Sequence, residues 1–339
     1  MSSLDIALSF NERYAPGAAV VIASVAANSC PASWLRFHVF TEEVAPETLA
    51  SLANLLLRLH PNGEIVQHVC GEELLKGLPS WESSRVAAVR CLYARLLPDV
   101  DWCLHLDCDL LYLSSVEAHF AERDEAVYAC VTAEEDATTN AGERGWIARH
   151  VRRAGRPVEI PADRYFNSGV MLMNLRKMRA DGLTETLARF FAEHPDAPSP
   201  DQDALNVAFG GVVKRLPCRY NQSQLTLTDA KLRERPVIHY VCGNPWVPGL
   251  MCVANNRFRL WHAFADHYVT CRPGASVRRC FDLRTRFLKR VCRALLVCPV
   301  WGGLFAGALE AVGLVRNGRT WRKSQVGSDI SFSAIREAL

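Results

Sequence analysis

The sequence predicts an α/β fold: a mostly parallel sheet with helices on both faces. Strand-like and helix-like segments alternate through the first two-thirds of its 339 residues, and a βαβα order implies a parallel sheet. Some strand-like segments, such as Trp102–Leu106, are short apolar runs. One helix-like segment, Pro46–His60, carries leucines at 49, 52, 55, 56 and 59, the spacing of a core-facing stripe.

In chain order, Asp5–Phe10 reads as the first strand and Pro16–Ser29 as an apolar helix with proline in its first turn. Leu35–Thr41 is a second strand, Pro46–His60 a helix and Glu64–Cys70 a third strand. Ser84–Leu97 reads as a helix ended by Pro98, and Trp102–Leu106 as a strand that stops on Asp107. Ligands of such sheets sit beyond the carboxyl ends of strands, which directs attention to the ends of the first and fourth. Farther on, Ala126–Ala133 and Tyr165–Leu175 are strand-like, Asp203–Phe209 is helical, and Thr138–Gly155 is a polar stretch of helix and loop. Pro236–Cys242 is a strand that runs into a sharp Gly243-Asn244-Pro245-Trp246 turn.

Hydrophobic residues make up 49% of the chain and charged residues 22%, a globular balance that excludes a disordered protein. The thirteen cysteines include no Cys-x-x-Cys pair, and most lie in apolar stretches (Cys70, Cys91, Cys103, Cys130, Cys252). They read as small buried hydrophobes in a reducing compartment, not as a zinc site or a disulfide frame. The first residues lack the basic start and long apolar run of a signal peptide, so a cytoplasmic protein is expected. No Walker-type loop and no Gly-x-Gly-x-x-Gly fingerprint is present.

Charge is uneven. Residues 271–323 hold twelve Lys/Arg against two acidic residues, a local +10 in a chain of +3, so the remainder carries −7. With Arg272-Pro273-Gly274, that shift divides the chain into a body, 1–270, and a basic and apolar tail, 271–339. Arg278–Arg293 mixes arginines with Phe281, Leu283, Phe287, Leu288 and Val291, and Ala294–Val315 is almost wholly apolar. Pro299 and Glu310 argue against a membrane span, so the tail reads as an interfacial anchor on anionic lipid, with a helical subdomain packed on the body as the alternative.

Three Asp-x-Asp triplets occur: Asp99-Val-Asp101, Asp107-Cys-Asp109 and Asp201-Gln-Asp203. The first flanks a turn after Pro98 and reads as a solvated loop. The second interrupts an apolar run, Trp102–Leu106 before it and Leu110–Leu113 after it. Two carboxylates there are costly to bury and repel each other. A divalent cation removes both objections, and strand alternation would put i and i+2 on one side. The alternative is a strand-terminal turn with satisfied aspartates. His239, in a strand-like run, is either a core histidine or a third ligand; carboxylates with one imidazole favour Mn2+ over Mg2+.

Four blocks occur in order: Leu106-Asp-Cys-Asp-Leu-Leu-Tyr-Leu113, Tyr165-Phe-Asn-Ser-Gly-Val-Met-Leu-Met-Asn-Leu175, Asp201-Gln-Asp-Ala-Leu-Asn206 and His239-Tyr-Val-Cys-Gly-Asn-Pro-Trp246. Over roughly residues 4–265 the sequence resembles the glycosyltransferase family 8 enzymes, which include bacterial lipopolysaccharide galactosyl- and glucosyltransferases and glycogenin. The resemblance implies a GT-A fold, a UDP-sugar donor (UDP-glucose or UDP-galactose), a saccharide acceptor, a manganese ion and transfer with retention of configuration. No nucleic-acid partner is expected. It also implies roles: Asp107, Asp109 and His239 as metal ligands, and Asn11 and Tyr14 at the uracil and ribose. Arg95 would lie near the diphosphate, Asn167, Ser168 and Gly169 would border the donor sugar, and Gly243 would approach the phosphates. Gln202 would stand on the sugar's reactive face and Asp203 would contact the sugar. Basic tails of this kind in the lipopolysaccharide enzymes suggest a peripheral position on the inner face of the cell membrane.

The sequence departs from the family pattern in places. Asn244 stands where a lysine usually precedes Pro-Trp, in a block one residue shorter. The first strand ends in Asn11-Glu12-Arg13 instead of acidic residues, and Thr132, followed by Glu134, Glu135 and Asp136, sits near a common sugar-contacting aspartate. The Gln202 amide is a poor nucleophile and no glycosidase-like carboxylate pair is evident, so same-face attack through an oxocarbenium-like state is expected. Two other classes remain: a catalytically inactive sugar-nucleotide-binding relative, and an Asp-x-Asp phosphatase, whose motif Asp107-Cys-Asp-Leu-Leu matches poorly.

Overall fold

The computed structural model describes residues 3–80, 84–133, 141–161, 163–241, 243–246, 256–269 and 332–338. The chain forms two compact units: Met1–Ala15 with Ser29–Cys108 and Ser115–Tyr220, and Pro16–Asn28 with Asp109–Ser114 and Asn221–Leu339.

The first unit is built on seven strands: β1 (Leu4–Asn11), β2 (Leu35–Glu42), β3 (Gly63–Val69), β4 (Trp102–Leu106), β6 (Ala129–Ala133), β9 (Phe166–Asn174) and β10 (Val213–Leu216). The second unit contributes β5 (Leu110–Tyr112). Spatial order in the large sheet is β10-β6-β9-β4-β1-β2-β3. Four of its pairings are parallel, and β9 runs antiparallel to both β4 and β6. Every residue of β4 and nearly every residue of β9 is buried, whereas edge strands β3 and β10 are mostly half-exposed. Successive strand residues point to opposite faces, so a wholly buried strand has both faces covered. The core includes Ala7, Phe40, Val89, Met171, Leu187 and Phe209.

The expected strands and helices are present within a few residues at their ends. The leucine-striped helix spans Pro46–Leu59 and buries Leu52, Leu55 and Leu56. Thr138–Gly155 contains the helix Ala141–His150, then β7 (Arg152–Arg153), which pairs with β8 (Arg156–Pro157). Two expectations need correction. Ser84–Leu97 is not one helix: Val86–Leu92 is a tighter 3-10 helix, followed by one α-turn at Tyr93–Leu96. Six of the seven residues Val86–Leu92 are buried, so tertiary packing and not an amphipathic face sets this segment. Asp107 and Asp109 do not share a strand either. They flank Cys108 in the turn between β4 and β5, so strand alternation does not place them.

The second unit holds a small sheet, β11 (Gln222–Ser223), β12 (Val237–His239) and β5. β12 is antiparallel to β5, with His239 opposite Leu110. Backbone groups of the buried Tyr112 are satisfied by the helix Ala15–Asn28: Tyr112 N–H donates to Ser24 Oγ at 3.0 Å, and Asn28 Nδ2 donates to Tyr112 O at 3.0 Å. The strand that follows Asp109 is thereby fixed on its outer side.

No helix among the described residues is long and apolar enough to cross a membrane. Nearly all of the expected tail, and with it the anchor segment 271–323, lies outside the described residues, as do Glu134, Glu135 and Asp136.

Ser24→Ala leaves a buried Tyr112 N–H without an acceptor, a loss of about 1–3 kcal/mol, which a lowered midpoint of urea unfolding would reveal.

Candidate active site

In the first unit the site grows from the β4–β9 pairing. β4 meets β9 with Leu106 opposite Val170, and the turn carries the pairing one step on, Asp107 N–H donating to Gly169 O at 2.8 Å. Asp107 is thus held alongside Asn167-Ser168-Gly169. The buried Arg90 then ties three segments together. Its Nη2 lies 2.6 Å from Asp107 Oδ1, its Nε lies 3.2 Å from Asp201 Oδ2, and its Nη1 donates to Ser168 O at 3.2 Å. Burial alone would favour losing the proton, but Asp107 and Asp201 outweigh it and raise the Arg90 pKa further. His105, wholly buried, has its pKa lowered to about 4 by burial and by Arg90. At neutral pH it is uncharged, so Nε2–H donates to Asp107 Oδ1 at 3.3 Å, leaving Nδ1 to accept from Tyr93 Oη at 3.3 Å.

The Asp201-Gln202-Asp203 triplet opens the helix Pro200–Phe209, and its members diverge. Asp201 is partly exposed and paired with Arg90. Gln202 is half-buried, with Oε1 accepting from Ser168 N–H at 3.0 Å. Asp203 is fully buried, one oxygen accepting from Tyr165 Oη at 2.7 Å and the other from Ser199 N–H at 3.0 Å. Asn167 Oδ1 accepts from Gly169 N–H at 2.9 Å, which stiffens the backbone that carries Ser168.

In the second unit, His239 Nε2 lies 3.2 Å from Asp109 Oδ1, and its Nδ1 lies 3.0 Å from Asn221 Oδ1. With the Asn221 oxygen as acceptor, Nδ1 carries the proton and Nε2 turns a lone pair toward Asp109. A cation or a second ring proton resolves that contact. Gly243 follows at φ +119, a backbone conformation that side chains other than glycine rarely adopt, and Asn244 beside it is half-buried.

One residue separates Asp107 from Asp109, so the backbone itself holds the two aspartates near each other. Asp107, Asp109 and His239 each offer one ligand atom, all within 4.8 Å of one another. Two half-buried carboxylates and an imidazole are a donor set that suits a divalent cation.

The family model described as "Glycosyl transferase family 8" matches residues 5–247. The chain belongs to glycosyltransferase family 8. Among family members and relatives, it is 27% identical over 227 residues to a lipopolysaccharide 1,2-glucosyltransferase of Escherichia coli, covering 65% of this chain and 62% of that protein. It is 30% identical over 161 residues to general stress protein A of Bacillus subtilis (strain 168), covering 42% of this chain and 52% of that protein. The chain therefore spans less than two-thirds of the length of these curated relatives. The galactosyltransferase LgtC, solved in complex with donor and acceptor sugar analogs, superposes with a TM-score of 0.62 at 24% identity, covering 80% of this chain and 98% of LgtC. The bifunctional glycosyltransferase WbbM superposes with a TM-score of 0.61 at 16% identity, covering 82% of this chain and 51% of WbbM. These likenesses show the fold, a GT-A-like α/β architecture with a mostly parallel sheet.

Two residue expectations for this family 8 chain are corrected. Arg95 is exposed, and the arginine beside the carboxylates is Arg90. Asp203 is buried with both oxygens bonded to the protein, so Asp201, not Asp203, is the triplet's partly exposed carboxylate. Arg90 could have been found from sequence by the argument that singled out Asp107: a charge inside the apolar run Val86–Leu92 needs a partner. Asn221 carries no comparable signal. Asn11 ends β1 with its Oδ1 buried and without a hydrogen-bond partner among the described residues, and Tyr14 lies just beyond in a short 3-10 turn.

Arg90→Ala removes the guanidinium from two half-buried carboxylates and lowers stability by about 2–3 kcal/mol, whereas exposed Arg95→Ala stays within about 0.5 kcal/mol of wild type. Urea unfolding of the two variants side by side measures the difference.

Proposed function

We propose that this protein is a retaining hexosyltransferase that moves glucose or galactose from a UDP-sugar to a saccharide acceptor, with a divalent cation, Mn2+ or Mg2+, on the diphosphate. The observation that carries the reading is the convergence of Asp107, Asp109 and His239 in a family 8 chain. Bound by these three, a cation supplies Lewis-acid stabilisation for the charge of a departing nucleoside diphosphate. Support for a hexose and a glycan acceptor comes from the lipopolysaccharide glucosyltransferase relative and from LgtC, solved with donor and acceptor sugar analogs.

The chain's own residues then take these parts. Arg90 fixes Asp107 and Asp201 at one end of their reach and adds fixed positive charge behind them. The Oδ1 of Asn11, without a hydrogen-bond partner among the described residues, is an acceptor suited to an N–H such as that of a uracil ring, with Tyr14 beside it for the ribose. Asn167, Ser168, Gly169 and the Gln202 amide border the sugar, and Gly243 and Asn244 approach the phosphates. Asn244 in place of lysine leaves the diphosphate with one positive partner fewer. The basic segment 271–323 would hold the enzyme on an anionic membrane surface, the inner face of the cell membrane in a cytoplasmic protein.

Incubation with UDP-glucose and with UDP-galactose, with and without Mn2+, tests the reading by slow UDP release. Metal-dependent release from one sugar nucleotide is expected, falling about 10²-fold in Gln202→Ala. Metal-dependent nucleotide binding without turnover of either donor would instead select the inactive, sugar-nucleotide-binding alternative.

A further inference from the structure

The chemistry assigned to Gln202 depends on which way its amide faces, and four groups of the first unit determine that. A backbone N–H can only donate, so the Gln202 atom 3.0 Å from Ser168 N is the amide oxygen. The amide nitrogen therefore points the other way, and it donates to Tyr165 Oη at 3.0 Å. The Tyr165 hydroxyl, with one O–H to give, donates it in a hydrogen bond to Asp203 Oδ1 at 2.7 Å. Asp203 is held in turn by Ser199 N–H at its second oxygen, 3.0 Å away. The chain of hydrogen bonds runs in one direction, fixed at its start by a backbone donor and at its end by a carboxylate.

Burial separates the members by role. Gln202 is half-buried, while Tyr165 and Asp203 are 1% and 0% exposed. A hydroxyl and a carboxylate enclosed behind an amide are costly to bury and would be replaced at no loss by apolar residues if filling space were their task. Burial pushes the Asp203 carboxyl up to about 6, partly offset by the hydrogen bonds from Tyr165 and Ser199, with Glu143 and Asp201 the nearby acids that push the same way as burial. Both oxygens of Asp203 accept hydrogen bonds, so it is the acceptor that the end of the chain requires.

We propose that Tyr165 is a positioning residue, which, backed by Asp203, holds the Gln202 amide in a single orientation for sugar transfer. The proposal rests on the role given to Gln202 above. It also recasts Asp203: its contribution to turnover passes through Tyr165 and Gln202, not through contact with the sugar.

The test is a double-variant cycle on the full chain, read as UDP release from UDP-glucose and UDP-galactose with Mn2+. Tyr165→Phe, which removes one oxygen, is expected to lower kcat about 10-fold while the donor KM stays within about 2-fold, because ground-state binding is untouched. Gln202→Ala loses at least as much, and the double variant loses no more than Gln202→Ala alone. Asp203→Asn, which keeps an acceptor for Tyr165 but removes its charge, gives the same kcat-only loss to a smaller degree. Wild-type kcat in Tyr165→Phe, or a double variant that loses the product of the two single effects, overturns the positioning role. Wild-type turnover in Gln202→Ala overturns the role of Gln202 itself, a failure distinct from the first.

Discussion

The burial of Arg90 between Asp107 and Asp201 is the constraint on which the rest of the first unit's site depends. A guanidinium 5% exposed is stable only with charge and hydrogen bonds around it. It finds them on three segments distant in sequence: the turn after β4, the strand β9 at Ser168, and the helix start at Asp201. The planar fork suits this task, because its nitrogens reach three groups at fixed angles. Moving any one segment would strand a charge in the others. His105 adds a neutral donor to Asp107 without adding charge. One positive group facing two carboxylates leaves the cluster one negative charge in excess, before Asp109 is counted. Such a surplus favours a cation at the same carboxylates.

The fold was largely legible in the sequence because its signals are local. β4 was read to the residue, since a five-residue apolar run bounded by Asp101 and Asp107 has few other solutions. The leucine stripe of Pro46–Leu59 was equally plain. Val86–Leu92 was not, because nearly every residue there is buried and no polar face marks the helical period. Its 3-10 geometry comes from packing, which a window of sequence does not contain.

The candidate site was legible in part for a related reason. Sequence context chose Asp107 and Asp109 over the Asp99–Asp101 pair, whose Asp101 has an exposed side chain that pairs with Arg176 and Arg179. It also brought in His239, which stands beside Asp109. What sequence did not resolve is which of two similar side chains turns inward. Arg95 and Arg90 lie on one segment, as Asp203 and Asp201 lie on another, and in each pair the residue facing the cluster is set by long-range contacts. Asn221 lies 18 residues from the histidine it orients, a relation that appears only when β11 and β12 pair.

The proposed chemistry requires the carboxylate and imidazole ligands. The most direct measurement is a titration of the full chain with Mn2+ in the presence of UDP, following loss of the free-ion paramagnetic resonance signal. One bound Mn2+ per chain is expected in wild type, and loss of that binding in Asp109→Asn and in His239→Ala with unfolding midpoints near wild type. Undiminished Mn2+ binding in both variants would contradict that expectation.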